Sequence, residues 1–218
     1  MLLPFNEFSQ INPVIAQKFW ARTTPRLISL ESRSQKFSVK SYLSELSYTV
    51  KYPYKLDHNI IDDENGFIRN LKFRKDFNDA PLVYLSFHGE PGSILFDRDS
   101  GLGLDDLVYP FENGQANEKV IYFSSCSVLQ GENGTLLAKH LLKDTNCKAV
   151  LGYTNDLKWF DALFIDMLFI HKFFSHENPM VAIQDIYQEV LKDYVPAARL
   201  GLKMFRNSTE KGLKKVQV

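Results

Sequence analysis

Two residues of this sequence have the chemistry of a nucleophile and its base, and each closes an apolar run. His88 follows Leu82-Val-Tyr-Leu-Ser-Phe87, and Cys126 follows Val120-Ile-Tyr-Phe-Ser-Ser125. A thiol becomes a strong nucleophile when a neighbouring base takes its proton or a positive charge favours the thiolate, and imidazole does both near neutral pH. Gly89, directly after the histidine, has no Cβ, so backbone can approach a substrate there. Its N–H, with that of Cys126, is suited to hold the oxyanion formed during acyl transfer. Each residue alone has an ordinary reading, because free cysteine is among the most buried residue types and a strand-end histidine is often just hydrogen-bonded in a loop. Their joint placement is what points to nucleophilic catalysis by a Cys/His pair.

The elements that must position the pair alternate between strands and helices. Short apolar runs at 26–31, 81–87, 119–124 and 148–152 read as strands, and amphipathic spacing at 37–46, 104–108, 135–143, 159–174 and 181–191 reads as helices. Alternation over 48–54 predicts a further strand, the turn signal at 62–66 a hairpin, and 93–96 with 97–101 a second, smaller hairpin. A last strand is expected at 200–205, followed by a frayed basic end. The pattern predicts one α/β domain over 1–218 with a largely parallel sheet flanked by helices, residues 1–25 being an N-terminal extension. In such sheets ligands bind outside the carboxyl ends of the strands, which is where His88 and Cys126 fall.

Composition narrows the function classes. With 218 residues, 44% hydrophobic and 24% charged, the chain has the make-up of a globular domain able to bury a full core. Its 26 basic and 26 acidic residues cancel, leaving no global field for a polyanion, so the expected partner is protein or peptide, with no nucleic acid and no membrane. Cys126 and Cys147 form neither a C-x-x-C pair nor a zinc cluster, which suits a reducing compartment. The start MLLPFNEFSQ lacks the regions of a secretory signal, and the apolar run at 162–174 is broken by Asp166, His171 and Lys172, so a soluble, cytoplasmic protein is expected.

An apolar strand ending in His-Gly, then an apolar strand ending in small-small-Cys, resembles the caspase-like, or clan CD, cysteine peptidases. Residues 82–89 and 120–126 look like that clan's two catalytic blocks. The segments 94–96 leading to 102–107, the 131–142 helix and Cys147-Lys-Ala-Val-Leu-Gly-Tyr153 are similar to the CHAT and separase branch more than to the animal caspases. The resemblance implies a caspase-like three-layer sandwich, His88 as acid/base, Cys126 as the nucleophile that forms a thioester, and Gly89 and Cys126 as oxyanion donors. It implies no cofactor and no metal. The animal-caspase Q-A-C context is absent, the cysteine standing instead in Ser124-Ser-Cys-Ser-Val128, so specificity for aspartate is not carried over.

In the separase-like members an acidic residue after the third strand faces the residue preceding the scissile bond, and Tyr153-Thr-Asn-Asp156 matches that segment. Asp156 is then a contact for substrate Arg or Lys, with Ser124 a second substrate-binding residue. Equally, Asp156 is an acceptor at the start of the helix that begins near Trp159. Small stand-alone relatives of this branch serve in bacterial defence or cell death by limited cleavage of a protein partner, which leaves activation to a partner, a ligand or self-processing. The alternative is a catalytically silent caspase-like module that only holds a peptide or regulates. An α/β-hydrolase is disfavoured, since Ser124 and Val128 occupy the glycine places of its nucleophile elbow.

Remaining candidates read as structure. His171 and His176 are not at ligand spacing, His140 is a solvated or capping residue, and Cys147 a small core residue. The acidic residues Asp97, Asp99, Asp105 and Asp106 lack an EF-hand order and read as a solvated turn rather than a calcium site. The aromatic series Trp159, Phe160, Phe164, Phe169, Phe173 and Phe174 is expected to cover the sheet as core.

Overall fold

Side chains along the central strands point alternately to two faces, and both faces are apolar, so helices must cover each. A computed structural model describes residues 24–74, 77–210 and 213–217. Its strands are β1 (Arg26–Ser32), β2 (Lys55–Ile61), β3 (Leu82–Ser86), β4 (His88–Glu90), β5 (Ser93–Leu95), β6 (Gly101–Leu102), β7 (Val120–Ser124), β8 (Ala149–Tyr153), β9 (Leu202–Glu210) and β10 (Leu213–Gln217). Its helices are α1 (Lys40–Leu46), α2 (Glu64–Lys72), α3 (Leu104–Val108), α4 (Gly131–Asp144), α5 (Trp159–Ser175), α6 (Ile183–Asp193) and the single turn α7 (Pro196–Arg199).

The large sheet has seven strands in the order β10-β9-β8-β7-β3-β1-β2. From β2 to β8 the strands run parallel, and β9 and β10 close one edge antiparallel. A second, antiparallel sheet holds β4, β5 and β6. On one face of the large sheet Leu30, Leu85 and Phe123 pack under Phe67 of α2 and Leu137 and Leu141 of α4. On the other, Leu82, Tyr84 and Tyr122 pack under Leu43 of α1, Phe169 and Phe173 of α5 and Val190 of α6. The result is an α/β fold with two cores, one on each side of a mostly parallel sheet. Among the described residues no helix is long and apolar enough to cross a membrane.

Several expectations are corrected. Residues 48–54 are turns and bends, not a strand: Tyr52 N–H donates to Phe174 O of α5 at 2.9 Å, and the strand starts only after Pro53 and Tyr54. The turn signal at 62–66 is a helix start rather than a hairpin, because Asp63 Oδ1 accepts from Gly66 N–H at 2.7 Å and caps α2. α1 begins three residues later than the apolar spacing suggests, and α4 begins earlier, at Gly131. Where a frayed end was expected, β9 runs on to Glu210 and β10 pairs with it. The expected extension lies almost wholly outside the described residues.

Candidate active site

The register of two adjacent parallel strands brings the candidate pair together. Ser86 of β3 is the partner of Ser124 of β7, and His88 and Cys126 each stand two residues beyond that pair. At His88 the chain leaves the large sheet and enters the small one. The two strand ends are clipped by Ser125, whose hydroxyl accepts from Phe87 N–H at 3.3 Å and donates to Leu85 O at 3.4 Å. Gly89 lies against this clip. A Cβ there would collide with the Cys126 carbonyl oxygen and stand 2.6 Å from Val128 Cγ2, so only glycine allows the two segments to approach this closely.

After Cys126 the chain makes a tight turn that the loop following β8 holds at successive residues. Ser127 has φ 52°, the left-handed region that costs a residue with a Cβ. Its N–H donates to Asn155 O at 3.1 Å, and its hydroxyl to Asp156 Oδ1 at 2.6 Å. Leu157 N–H donates to Cys126 Sγ at 3.3 Å, and the thiol returns toward Leu157 O at 3.6 Å. From the other side, Gly92 N–H of the small sheet's first turn donates to Val128 O at 2.9 Å. Among the described residues no hydrogen bond joins the His88 ring to the thiol, and the N–H of Cys126 has no acceptor.

Two cavities meet at the pair, and among the described residues His88 and Cys126 are the only ones that line both. The smaller, about 130 Å³, runs between the strand ends and α5, with Ser86, Ser124, Leu157, Trp159 and Asp166 among its walls. The larger, about 560 Å³, opens over the small sheet and carries Gly89, Glu90, Asp97 and Arg98.

Asp166 is the carboxylate at the smaller cavity, and the sequence reading passed over it. It is wholly buried on α5 and takes four hydroxyls: Tyr84 at 2.7 Å and Ser124 at 2.5 Å on Oδ2, Tyr122 and Tyr153 at 2.6 Å each on Oδ1. Burial pushes its carboxyl above the ordinary value, opposed by those hydrogen bonds. Burial and the Asp166 charge raise the three tyrosines well above theirs, keeping them donors. The signal for Asp166 was present: a carboxylate inside an apolar helix is buried only when it is paired.

Ser124 lines the smaller cavity while donating to Asp166. Asp156 is not the acceptor that caps the next helix. It is exposed, outside both cavity walls, and α5 has Lys158 at its N-cap and no side-chain cap, the Asp156 carboxylate being taken up by Ser127. The other cysteine has a different character: Cys147 is buried in the core, and burial pushes its thiol up to about 12. Asp97 accepts from the backbone of Asp99 and Ser100, which holds its carboxyl below the usual value, and His140 Nδ1 contacts Asp144 Oδ2 at 2.7 Å. The aromatic series does not act as one unit: Phe169, Phe173 and Phe174 are core, whereas Phe160 and Phe164 are exposed.

Residues 29–205 match the model of a family of unknown function, DUF6642, and the chain belongs to that family. The match spans both strand ends, the small sheet, α5 and Asp166. No curated protein matches the chain.

Proposed function

We propose that this DUF6642 member is a cysteine endopeptidase of caspase-like architecture that cleaves a protein partner through Cys126 and His88. The observation that carries this reading is the meeting of the two residues at adjacent strand ends, where, among the described residues, they alone line both cavities. A peptide laid across that junction has its scissile carbonyl at the thiol and one half in each cavity.

His88 takes the Cys126 proton, and the thiolate attacks the carbonyl carbon to form the C–S bond. The oxyanion is held by the N–H groups of Gly89 and Cys126, the latter having no other acceptor among the described residues. The imidazolium then gives its proton to the leaving nitrogen, and the C–N bond breaks to leave a thioester. His88 next deprotonates water, which attacks the thioester and releases the carboxylic acid while the thiol recovers its proton. Leu157 N–H, already donating to Sγ, stabilises the thiolate at the start. No cofactor takes part in this sequence.

Ser124 spends its proton on Asp166, so its lone pairs are free to accept from a substrate side chain in the smaller cavity. With the buried carboxylate behind it, that floor favours Arg or Lys before the scissile bond. A reducing, cytoplasmic setting suits an accessible free thiol. The second reading, a silent peptide-binding or regulatory module, is favoured by the thiol's engagement with Leu157 rather than His88.

The test compares wild type, Cys126→Ala and His88→Ala for labelling by peptidyl acyloxymethyl ketones carrying Arg, Lys, Leu or Asp beside the warhead. Labelling of wild type with Arg or Lys reagents, lost in Cys126→Ala and slowed about 100-fold or more in His88→Ala, is expected for general-base activation. Equal labelling of wild type and His88→Ala removes the dyad, and no labelling of wild type leaves the silent module.

A further inference from the structure

Trp159 lines the smaller cavity, and its ring is the inner member of an aromatic cluster that continues outward over the surface. The rings of Phe37, Tyr42 and Phe160 lie 5.2, 5.8 and 4.9 Å from it, centroid to centroid, and Phe37 and Phe160 are 6.1 Å apart. Unlike the core half of α5, this cluster is open to water: Phe37 is 45% exposed and Phe160 54%. Phe164, one helical turn beyond Phe160, is 63% exposed and extends the same ridge. Gln35 and Val39, which flank Phe37, also line the cavity. Two chain segments therefore build the cavity wall on their inner side and an exposed aromatic ridge on their outer side.

Contiguous exposed aromatic surface costs hydration free energy and marks a binding surface. Because the ridge is continuous with the cavity wall through Trp159, one and the same occupant covers both. A peptide with a cationic side chain in the cavity has its neighbouring residues passing over Trp159, where a polar side chain is desolvated without a partner and an apolar one gains burial.

We propose that Phe37, Trp159 and Phe160 form a second specificity subsite, which selects substrates carrying a large apolar side chain close to the basic residue. This inference rests on reading the cleft as a peptide site, though not on the protein being catalytically active.

Calorimetric titration of full-length Cys126→Ala protein tests it, with short peptides that hold Arg constant and vary a neighbouring residue among Phe, Leu, Ala and Glu. Phe and Leu peptides are expected to bind about tenfold more tightly than Ala peptides, the gain from burying much of one large side chain. In the Phe37→Ser/Phe160→Ser variant that margin shrinks to about twofold or less, while the margin for Arg over Ala at the basic position is unchanged. Both replaced rings are about half exposed, so the variant is expected to fold with Tm lowered by no more than a few degrees. Equal binding of Phe and Ala peptides, or a preference that survives in the double variant, overturns the subsite. Self-association of wild type that the double variant abolishes, without any peptide preference, overturns it in favour of a contact between copies. Failure of the warheads to label wild type, with the apolar preference intact, removes the peptidase and leaves the subsite; labelling without the preference does the reverse.

Discussion

At residue 89 the smallest side chain is a steric requirement, and this makes Gly89 the most direct probe of the junction between the two strand ends. In Gly89→Ala the added carbon meets the Cys126 carbonyl oxygen and Val128, so the backbone of one segment must move. Overpacking of this kind costs on the order of 1–3 kcal/mol, and the displaced 88–89 backbone no longer presents its N–H to an oxyanion. Thermal melting is expected to fall by several degrees, and warhead labelling to slow by about 100-fold, more than the lost stability explains. Labelling at the wild-type rate would mean that the 88–89 backbone takes no part. The strand-end positions of His88 and Cys126, and of Gly89 behind the histidine, were legible in the sequence because the apolar runs before them have local strand character. Asp166 was not, since its environment is made by Tyr84, Tyr122 and Tyr153 from three different strands, and only sheet register brings their hydroxyls to one point.

The loop after β8 and the turn after Cys126 form one unit, joined through Ser127 to Asn155 and Asp156 and through Cys126 to Leu157. Asp156 holds the left-handed Ser127 in place and so acts on the thiol at one remove. Asp156→Ala and Ser127→Ala are each expected to slow labelling about 3- to 10-fold, the worth of one hydrogen bond to a charged group. The loss should be equal for Arg and Leu warheads, and the double variant should be little worse than either single one. An effect confined to Arg and Lys reagents would instead return Asp156 to the substrate. The same contrast between local and distant causes governs what could be read of the elements. β3, β7 and β8 follow from their own apolar runs, whereas 48–54 alternates like a strand yet is pulled onto α5 by contacts far along the chain. At 62–66 the turn residues were recognised, but Asp63 serves as the cap of α2, a use that depends on the helix that follows.

Across the whole molecule, the two cores leave one lysine inside among the described residues. Lys119, just before β7, is buried, donates to Phe77 O at 2.7 Å and Ala80 O at 3.0 Å, and sits over the Phe77 ring. Burial pushes its ammonium down to about 8 from 10.5, with the Asp79 charge opposing. Between those values the unfolded chain binds more protons than the folded one, so this group makes stability rise with pH there, and below about 8 its cost is fully present. Urea unfolding of wild type and Lys119→Met at several values from pH 7.5 to 10 should show the difference moving in favour of wild type, by roughly 2 kcal/mol over the range. A constant difference would mean the lysine titrates normally in the fold. Under the proposed peptidase function the two halves of a cleaved chain would have separate exits, because among the described residues only His88 and Cys126 line both cavities. The amine half would then depart over the small sheet while the acyl half stayed tethered to sulfur, and water would enter by the vacated side. On that reading the order of product release follows from the geometry, and a free amine competing with water for the thioester would return through an entrance that carries Glu90, Asp97 and Arg98.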